Sequence, residues 1–343
     1  MKRSLILILK FAVAAGLIVW LISSGKLDFS ALRNVEARWP WLVAAQLPFA
    51  LVLLCAAFRW LLLLRAQGME YRFREVYTVY LIGWLFNQVT FGAAGGDAVR
   101  AYLVARDHPA ARSAAVISVV ADRVIGLFVL ATVALVSLLV VLLTDDGSFA
   151  AQARVYLEDI AKVLVAIWIG GVVFLALFFS GAIASSAVLS RLLTRLPFRA
   201  ALEKAVEVAD RYRGHRGAVC CALGITVFIH VGVIITNILL LHALFPEPGK
   251  WGSLFFVIPV AHFLMAIPLQ PPGALGTGEA IYDALFSWVG LSGGALTSLL
   301  QRFSSLSWAA VGLVLNLGRR RRVAGALDDA RRAEAVDQAS PQS

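Results

Sequence analysis

Long apolar runs dominate this 343-residue chain, and glycine and proline interrupt two of them. Because a helix needs roughly 20 apolar residues to cross the hydrocarbon core of a bilayer, each uninterrupted run predicts a full transmembrane helix. The uninterrupted runs are Ser4–Ile22, Trp41–Leu64, Ser113–Leu143, Lys162–Ser180, Ala218–Phe245 and Ala295–Leu317. With 60% hydrophobic and 15% charged residues, the composition excludes a soluble enzyme, a disulfide scaffold and a disordered chain.

The two interrupted runs, Val76–Gly96 and Trp251–Gly290, contain glycine-rich breaks at Phe91–Asp97 and Gln270–Glu279. Lipid cannot satisfy the backbone groups that such breaks release, so the broken stretches must be buried in protein or line a wet cavity. The sequence therefore predicts an all-α integral membrane protein with six full transmembrane helices and two re-entrant helical hairpins.

The distribution of basic residues gives the orientation. With two re-entrant hairpins, 21 of the 31 Lys and Arg residues fall on one side, 6 on the other and 4 within spans. The positive-inside rule makes the rich side cytoplasmic and places both termini there, in a bacterial-type inner membrane. Two complete crossings would instead put the basic cluster Arg191–Arg216 outside. That cluster predicts an amphipathic helix on the cytoplasmic leaflet or a solvated loop helix.

Short motifs in the first half of the chain recur in the second half. Gly92–Gly95 followed by Asp97 corresponds to Gly273–Gly276 followed by Glu279, and Ser118–Arg123 corresponds to Thr297–Arg302. We therefore expect one membrane domain over residues 1–322, built from inverted repeats at about 4–143 and 162–317, and a disordered cytoplasmic tail over 323–343. Chance similarity between glycine- and alanine-rich strings is the alternative.

Charged residues inside the apolar runs indicate a functional site. A charge at the centre of a membrane helix costs roughly 2.5–3.5 kcal/mol, so Asp122, Arg123 and Arg302 need a partner or water. Asp97 and Glu279, beside the breaks, are the expected counter-ions and could also cap helix amides. The hypothesis is a polar cavity in which arginines bind a phosphate. Its members are Asp97, Arg100, Asp122, Arg123, Glu279 and Arg302, with Gly273 and Gly276 lining the second break.

Several alternatives stay open at this stage. The same charges could be buried ion pairs that only fix the docking of the two halves. Lys10 and Arg59 are expected to extend their charged ends to the interface. His230, His242 and His262 are expected to be hydrogen-bonded core residues. No metal-ligand spacing, cofactor motif or catalytic motif is found, and the net charge of +10 fits membrane orientation better than nucleic acid.

These residues together resemble the lysylphosphatidylglycerol synthase transmembrane-region family, also called flippase-like. The resemblance rests on Gly95-Gly96-Asp97 with Arg100, on Asp122-Arg123 with Gly126-Leu127, and on Pro272–Gly276 with Glu279, and it covers about residues 5–320. Where the family usually has a second glycine, this chain has Ala274.

The resemblance implies a membrane domain that moves lipids with polar heads between leaflets. The lipid would be an aminoacylated phospholipid or a polyprenyl-phosphate-linked sugar. Members that synthesise lysylphosphatidylglycerol carry a soluble domain after the membrane part, and this sequence ends 21 residues beyond Arg322, so lipid synthesis is not expected. The alternatives are a membrane subunit of an aminoacyl- or glycosyl-lipid transferase system, a small-solute carrier and a scaffold. A homo-oligomer and a lipid-modifying enzyme are possible partners.

Overall fold

The computed structural model of the protein describes residues 16–17, 19–25, 32–89, 94–144, 151–180, 207–208, 210–246, 251–266, 271 and 274–317. Within these ranges the regular structure is entirely helical. The longer helices are α1 (Leu32–Ala66), α2 (Phe73–Val89), α3 (Ala94–Asp107), α4 (Arg112–Thr144), α5 (Ala151–Ser180), α6 (Arg216–Leu244), α7 (Trp251–Met265), α8 (Thr277–Trp288) and α9 (Gly294–Leu317). A short 3₁₀ turn, Pro109–Ala111, joins α3 to α4.

Four of the described helices, α1, α4, α5 and α6, are long and apolar enough to cross a membrane. They contain four of the six predicted spans, which confirms a multi-pass membrane protein. Helix α9 has 24 residues and covers a fifth predicted span, but Gln301, Arg302 and several serines make it more polar. The predicted helix Ser4–Ile22 lies mostly outside the described residues.

Two helix boundaries differ from the predicted spans for physical reasons. Helix α1 begins at Leu32 rather than Trp41 because a short helical segment joins the main helix across a kink at Arg38, where φ is −118° and ψ is 18°, just before Pro40. Helix α5 begins at Ala151 rather than Lys162. Its first turns carry charges, such as the pair Asp159–Lys162, that remain exposed and do not interrupt the helix.

The two interrupted runs form pairs of short helices, α2 with α3 and α7 with α8. At 1.5 Å per residue even the longest of them, α2 with 17 residues, extends only about 26 Å, whereas the hydrocarbon core is about 30 Å thick. These lengths are typical of the arms of a hairpin. The turns of both breaks lie largely outside the described residues.

The helices pack in a reciprocal pattern. The most extensive contact joins α1 to α6, while α2 packs on α9 and α7 packs on α4. Helix α5 also packs on α4, and Leu21 near the N-terminus packs on Ala295 and Leu296 of α9. Several contacts between the halves therefore come in matching pairs: α2 on α9 corresponds to α7 on α4, and Leu21 on α9 corresponds to α5 on α4.

Small residues allow several of these helices to approach closely. A Cβ on Gly312 of α9 would lie 2.9 Å from Cβ of Leu81 in α2, and one on Gly232 of α6 would lie 2.7 Å from a methyl of Val52 in α1. Between α2 and α3, a Cβ on Gly96 would overlap the carbonyl oxygen of Gly83. Such close backbone contact is a common basis of helix association in lipid.

The described part of the predicted amphipathic segment packs against helix α1. Val208 and Tyr212, four residues apart, are buried, whereas Arg211 between them is exposed. Gln67, just after α1, donates from Nε2 to the carbonyl oxygen of Val208 at 3.0 Å. One face of this segment is thus fixed to the end of α1, while the other is available to solvent or headgroups.

We expect Gly96→Ala to destabilise the protein by about 1–3 kcal/mol, because the added methyl group forces the two arms of the hairpin apart. Thermal unfolding of the purified protein in detergent measures the effect. Gly170→Ala in α5 is the matched control, since a Cβ there meets nothing within 4 Å. Equal melting temperatures for the two variants would contradict the close approach of α2 and α3.

Candidate functional site

A buried carboxylate, Asp122 of α4, is held between two arginines from other helices. Its Oδ1 accepts a hydrogen bond from Nε of Arg59 in α1 at 2.8 Å, and its Oδ2 accepts one from Nη2 of Arg100 in α3 at 2.9 Å. All three side chains are less than 10% exposed. Charge-assisted hydrogen bonds of this kind are strong, and here they join three helices at one point.

Arg59 is not at the membrane interface, so the expectation that it extends there was wrong. Besides Asp122, it contacts α6, where its Nη1 donates to Oγ1 of Thr226 at 3.0 Å. The sequence feature that could have indicated the role of Arg59 was Asp122, a carboxylate within an apolar run. Adjacent residues of a helix point about 100° apart, so Arg123 could not satisfy this carboxylate and an arginine from another helix was required.

Arg100 lies between two aromatic rings. Its guanidinium carbon is 4.2 Å from the ring centroid of Trp60 and 4.7 Å from that of Tyr80. The aliphatic part of its side chain passes Gly83, where a Cβ would lie 2.6 Å from Cγ of the arginine. The cation is thus fixed by both π-faces and by Asp122, and glycine at position 83 leaves the space it needs.

Asp97, in the first turn of α3, contacts two arginines. Its Oδ2 accepts a hydrogen bond from Nε of Arg123, and its Oδ1 accepts one from Nη1 of Arg100 at 3.3 Å. The pairing of Asp97 with Arg123, which its position beside the break predicted, is therefore present. The side chain of Arg123 is still 39% exposed, unlike those of Arg59 and Arg100.

The second half contains the corresponding pair. Oε1 of Glu279 accepts hydrogen bonds from Nη2 and Nε of Arg302 at 2.7 and 3.0 Å, and its Oε2 accepts one from the backbone N–H of Gly276 at 2.7 Å. Glu279 thus acts as the predicted counter-ion and as the predicted cap of the first turn of α8. Nη2 of Arg302 also donates to the carbonyl oxygen of Ala274 at 3.1 Å. Gly273 lies outside the described residues.

Next to these pairs, the two halves differ in chemistry. The residue three positions after the acid is Arg100 in the first half and Tyr282 in the second, and the residue before the arginine is Asp122 in the first and Gln301 in the second. In the first half these residues, Arg100 and Asp122, form a charged layer. In the second half Tyr282 and Gln301 belong to a neutral polar network.

That network centres on the hydroxyl group of Tyr282. It lies 2.6 Å from Oε1 of Gln301, 3.0 Å from Nε2 of His262 and 3.3 Å from Oδ1 of Asn237. Nε2 of Gln301 lies 3.1 Å from Nε2 of His262. His262 is therefore a hydrogen-bonded residue, as expected, and it joins α7 to α8 and α9.

A cavity of about 280 Å³ lies between the charged layer and the neutral network. One part of its wall is apolar and comes from α1 and α6, for example Phe49, Val52 and Ile229. The other part is polar and contains Arg59, Tyr80, Asn87, Arg100, Asp122, Arg123, His230, His262 and Gln301. The cavity is thus amphipathic, and its polar part combines arginines with neutral hydrogen-bonding groups.

The structure brings together part of the predicted set in this cavity. Arg100, Asp122 and Arg123 line it, whereas Asp97, Gly276, Glu279 and Arg302 are not among its lining residues. Sequence reasoning missed Arg59, Asn87 and Gln301 as lining residues. In the described part of the chain, no group of three His, Cys, Asp or Glu side chains is placed to hold a metal ion.

Comparison with known proteins agrees with this architecture. Residues 7–314 match the model of the lysylphosphatidylglycerol synthase transmembrane region. The chain belongs to this family. It is also 29% identical over 147 residues to a UPF0104 membrane protein of Methanothermobacter thermautotrophicus, and the match covers 43% of each chain. Family membership and the apolar helices make this a multi-pass membrane protein and indicate a role in lipid metabolism or transport.

The departure from the usual family motif at Ala274 coincides with unusual backbone geometry. Ala274 has φ of +53°, in the left-handed region that glycine adopts without steric cost. We therefore expect Ala274→Gly to stabilise the protein by up to about 1 kcal/mol, measured as a rise in melting temperature in detergent. Ala280→Gly, inside α8, is the control and should be destabilising. A fall in melting temperature for Ala274→Gly would contradict the left-handed conformation.

We expect Asp122→Asn to destabilise the protein strongly, by about 3–5 kcal/mol, because it leaves Arg59 and Arg100 buried without their counter-ion. Asp159→Asn breaks the exposed pair with Lys162 and should cost at most about 1 kcal/mol. Thermal unfolding of both variants in the same detergent compares them. Similar losses would show that Asp122 is solvated rather than buried.

Proposed function

We propose that the protein moves a lipid with a charged or phosphate-linked polar head between the leaflets of the membrane. The head would pass through the cavity between the two halves, with no covalent bond made or broken. The observation that carries the proposal is the set of arginines at the cavity wall. Burying cations in a membrane protein is costly, and such residues commonly mark a substrate pathway.

The balance of charge around the cavity favours an anion. Three guanidinium groups, of Arg59, Arg100 and Arg123, face two carboxylates, of Asp97 and Asp122, so the cluster has a net charge of +1. In addition, Nε of Arg100 is buried with no hydrogen-bond partner within the described ranges. A phosphate oxygen supplies both the missing charge and an acceptor, and Arg binds phosphate with paired donors.

The size of the cavity supports a division of the lipid into two parts. A volume of about 280 Å³ is at the lower end of the range for small-molecule sites, so it fits a headgroup and not a complete lipid. The acyl or prenyl chains would therefore stay in the bilayer while the head crosses. The apolar part of the cavity wall would contact the region where head and chains meet.

The topology that we propose for this function is the predicted one. It has six full transmembrane helices and two re-entrant hairpins, α2–α3 and α7–α8, in an inner membrane with both termini cytoplasmic. The first turns of α3 and α8, with Asp97 and Glu279, would then lie within the bilayer, where interrupted helices of transporters commonly form substrate sites. The reciprocal packing of the halves would allow one half to rock against the other.

Leaflet exchange in proteoliposomes tests the proposal. Purified protein is reconstituted with labelled phosphatidylglycerol or with a labelled prenyl-phosphate-linked hexose, and the label remaining in each leaflet is measured over time. Exchange faster than in protein-free vesicles is expected for at least one of these lipids. If neither lipid moves faster, the flippase proposal is wrong, and the membrane subunit of a lipid-transferase system becomes the better interpretation.

We expect Arg123→Lys to slow this exchange by about tenfold, since lysine keeps the charge opposite Asp97 but loses the planar pair of donors that suits phosphate. The melting temperature should change little, because the side chain is 39% exposed. Arg154→Lys in the exposed pair with Glu158 is the control. An unchanged exchange rate for Arg123→Lys would remove this arginine from the proposed path.

A further inference from the structure

We infer that the cavity selects lipids whose phosphate carries a neutral, hydroxyl-bearing group, and that it rejects lipids whose head ends in an ammonium group. This inference rests on the proposed function and specifies its substrate class. It follows from two observations: the carboxylates near the cavity are already paired with arginines, and the second half presents neutral polar groups to the cavity.

The first observation concerns the carboxylates. Both oxygens of Asp122 accept hydrogen bonds from Arg59 and Arg100, and both oxygens of Asp97 accept hydrogen bonds from Arg100 and Arg123. Oxygens of Glu279 are likewise occupied, by Arg302 and the N–H of Gly276, and this residue does not line the cavity. Asp122 is the only carboxylate among the described lining residues and already pairs with two arginines, so an ammonium group entering the cavity would find no carboxylate that lacks a cationic partner.

The second observation concerns the part of the cavity wall that comes from the second half. Gln301 and His262 line the cavity, and Gln301 stands at the position that corresponds to Asp122 of the first half. With Oε1 of Gln301 facing the hydroxyl of Tyr282, its amide nitrogen faces Nε2 of His262. Because an amide nitrogen only donates, this orientation of Gln301 pairs it with an imidazole whose Nε2 accepts.

The head of a single lipid can contact both the arginines and the neutral polar groups of the cavity. A phosphate placed beside Arg100 and Arg123 would leave its substituent in the same cavity, which Gln301 and His262 also line. The amide nitrogen of Gln301 has a second N–H besides the one that faces His262, and such a group can donate to a hydroxyl group of glycerol or a sugar. An ammonium group in the same place would meet no carboxylate that lacks a cationic partner and would lie near a cluster with net positive charge, which disfavours its binding.

Two lipids that differ by one group provide the test. Phosphatidylglycerol carries a neutral glycerol on its phosphate, and lysylphosphatidylglycerol is the same lipid with a cationic lysyl ester. Each is reconstituted separately, at equal density in the same neutral carrier lipid, with the full-length protein. A third sample contains a prenyl-phosphate-linked hexose, so that the arms separate a glycerophospholipid source from a prenyl source of the same head chemistry.

We expect phosphatidylglycerol, the prenyl-linked hexose or both to exchange at least about tenfold faster than lysylphosphatidylglycerol. If lysylphosphatidylglycerol exchanges as fast as the better of the other two, the selectivity is wrong although the flippase function stands. If no lipid exchanges faster than in protein-free vesicles, the proposed function fails and this inference fails with it.

Gln301→Glu tests the residue that carries the selectivity. It places a carboxylate on the neutral wall, at the position that corresponds to Asp122, and should reduce the preference against lysylphosphatidylglycerol by about threefold or more. Gln46→Glu is the matched control. Gln46 contacts Ser304 and Trp308 away from the cavity, so the preference should not change.

The outcomes of this variant are distinct. A folded Gln301→Glu protein with the wild-type preference would show that the wall formed by the second half does not contact the head, which overturns the inference. Melting temperature establishes folding. If Gln301→Glu does not fold, the ratio of rates measured for the wild-type protein still decides for or against the inference.

Discussion

The cost of a charge in a membrane interior constrains the whole structure. Asp122 satisfies this constraint by accepting hydrogen bonds from an arginine of α1 and an arginine of α3, and Arg59 extends the network to α6 through Thr226. Four helices therefore meet at one buried cluster. Removing one member leaves the others buried without compensation, so the cluster constrains how these four helices pack. Gly83 of α2 and Gly96 of α3 lie close together, and the absence of a side chain at Gly83 leaves space for Arg100 to reach Asp122.

The two halves contain similar acid–arginine pairs but differ in the chemistry beside them. Each has an acid in the first turn of the short helix after its break and an arginine that pairs with it, Asp97 with Arg123 and Glu279 with Arg302. The residues beside each acid–arginine pair are charged in the first half, namely Arg100 and Asp122, and neutral in the second, namely Tyr282 and Gln301. If the ion pairs served only to dock the halves, a symmetric arrangement would suffice. Under the proposed function, a cavity that combines arginines with neutral polar groups would suit a ligand that is itself asymmetric, such as a phosphate with a hydroxylated substituent.

Sequence patterns predicted the elements of the fold well because lipid imposes simple rules. Four predicted spans are present as long apolar helices, and both glycine-rich breaks separate helices too short to cross the core. Spacing and repeat comparison also gave the pairing of Asp97 with Arg123 and of Glu279 with Arg302. The partners of Asp122 were only partly predictable. Arg59 and Thr226 are 63 and 104 residues away from it in the chain, so their proximity depends on how α1 packs on α6, which periodicity does not reveal. Gln301 appeared in the repeat comparison, but its role with His262 depends on the position of α7.

The difference in exposure between the two equivalent arginines bears on the mechanism. The side chain of Arg123 is 39% exposed, whereas that of Arg302 is 12% exposed, although both pair with an acid at the start of a short helix. Under the proposed function and the predicted inverted repeats, this difference would correspond to a conformation that is open beside the first-half arginine and closed beside the second. In inverted repeats, the two halves can exchange conformations, and that exchange moves the opening from one side of the site to the other. Under the proposed function, such an exchange would expose Arg302 and bury Arg123. The head would then remain near the cavity while its access changed from one leaflet to the other.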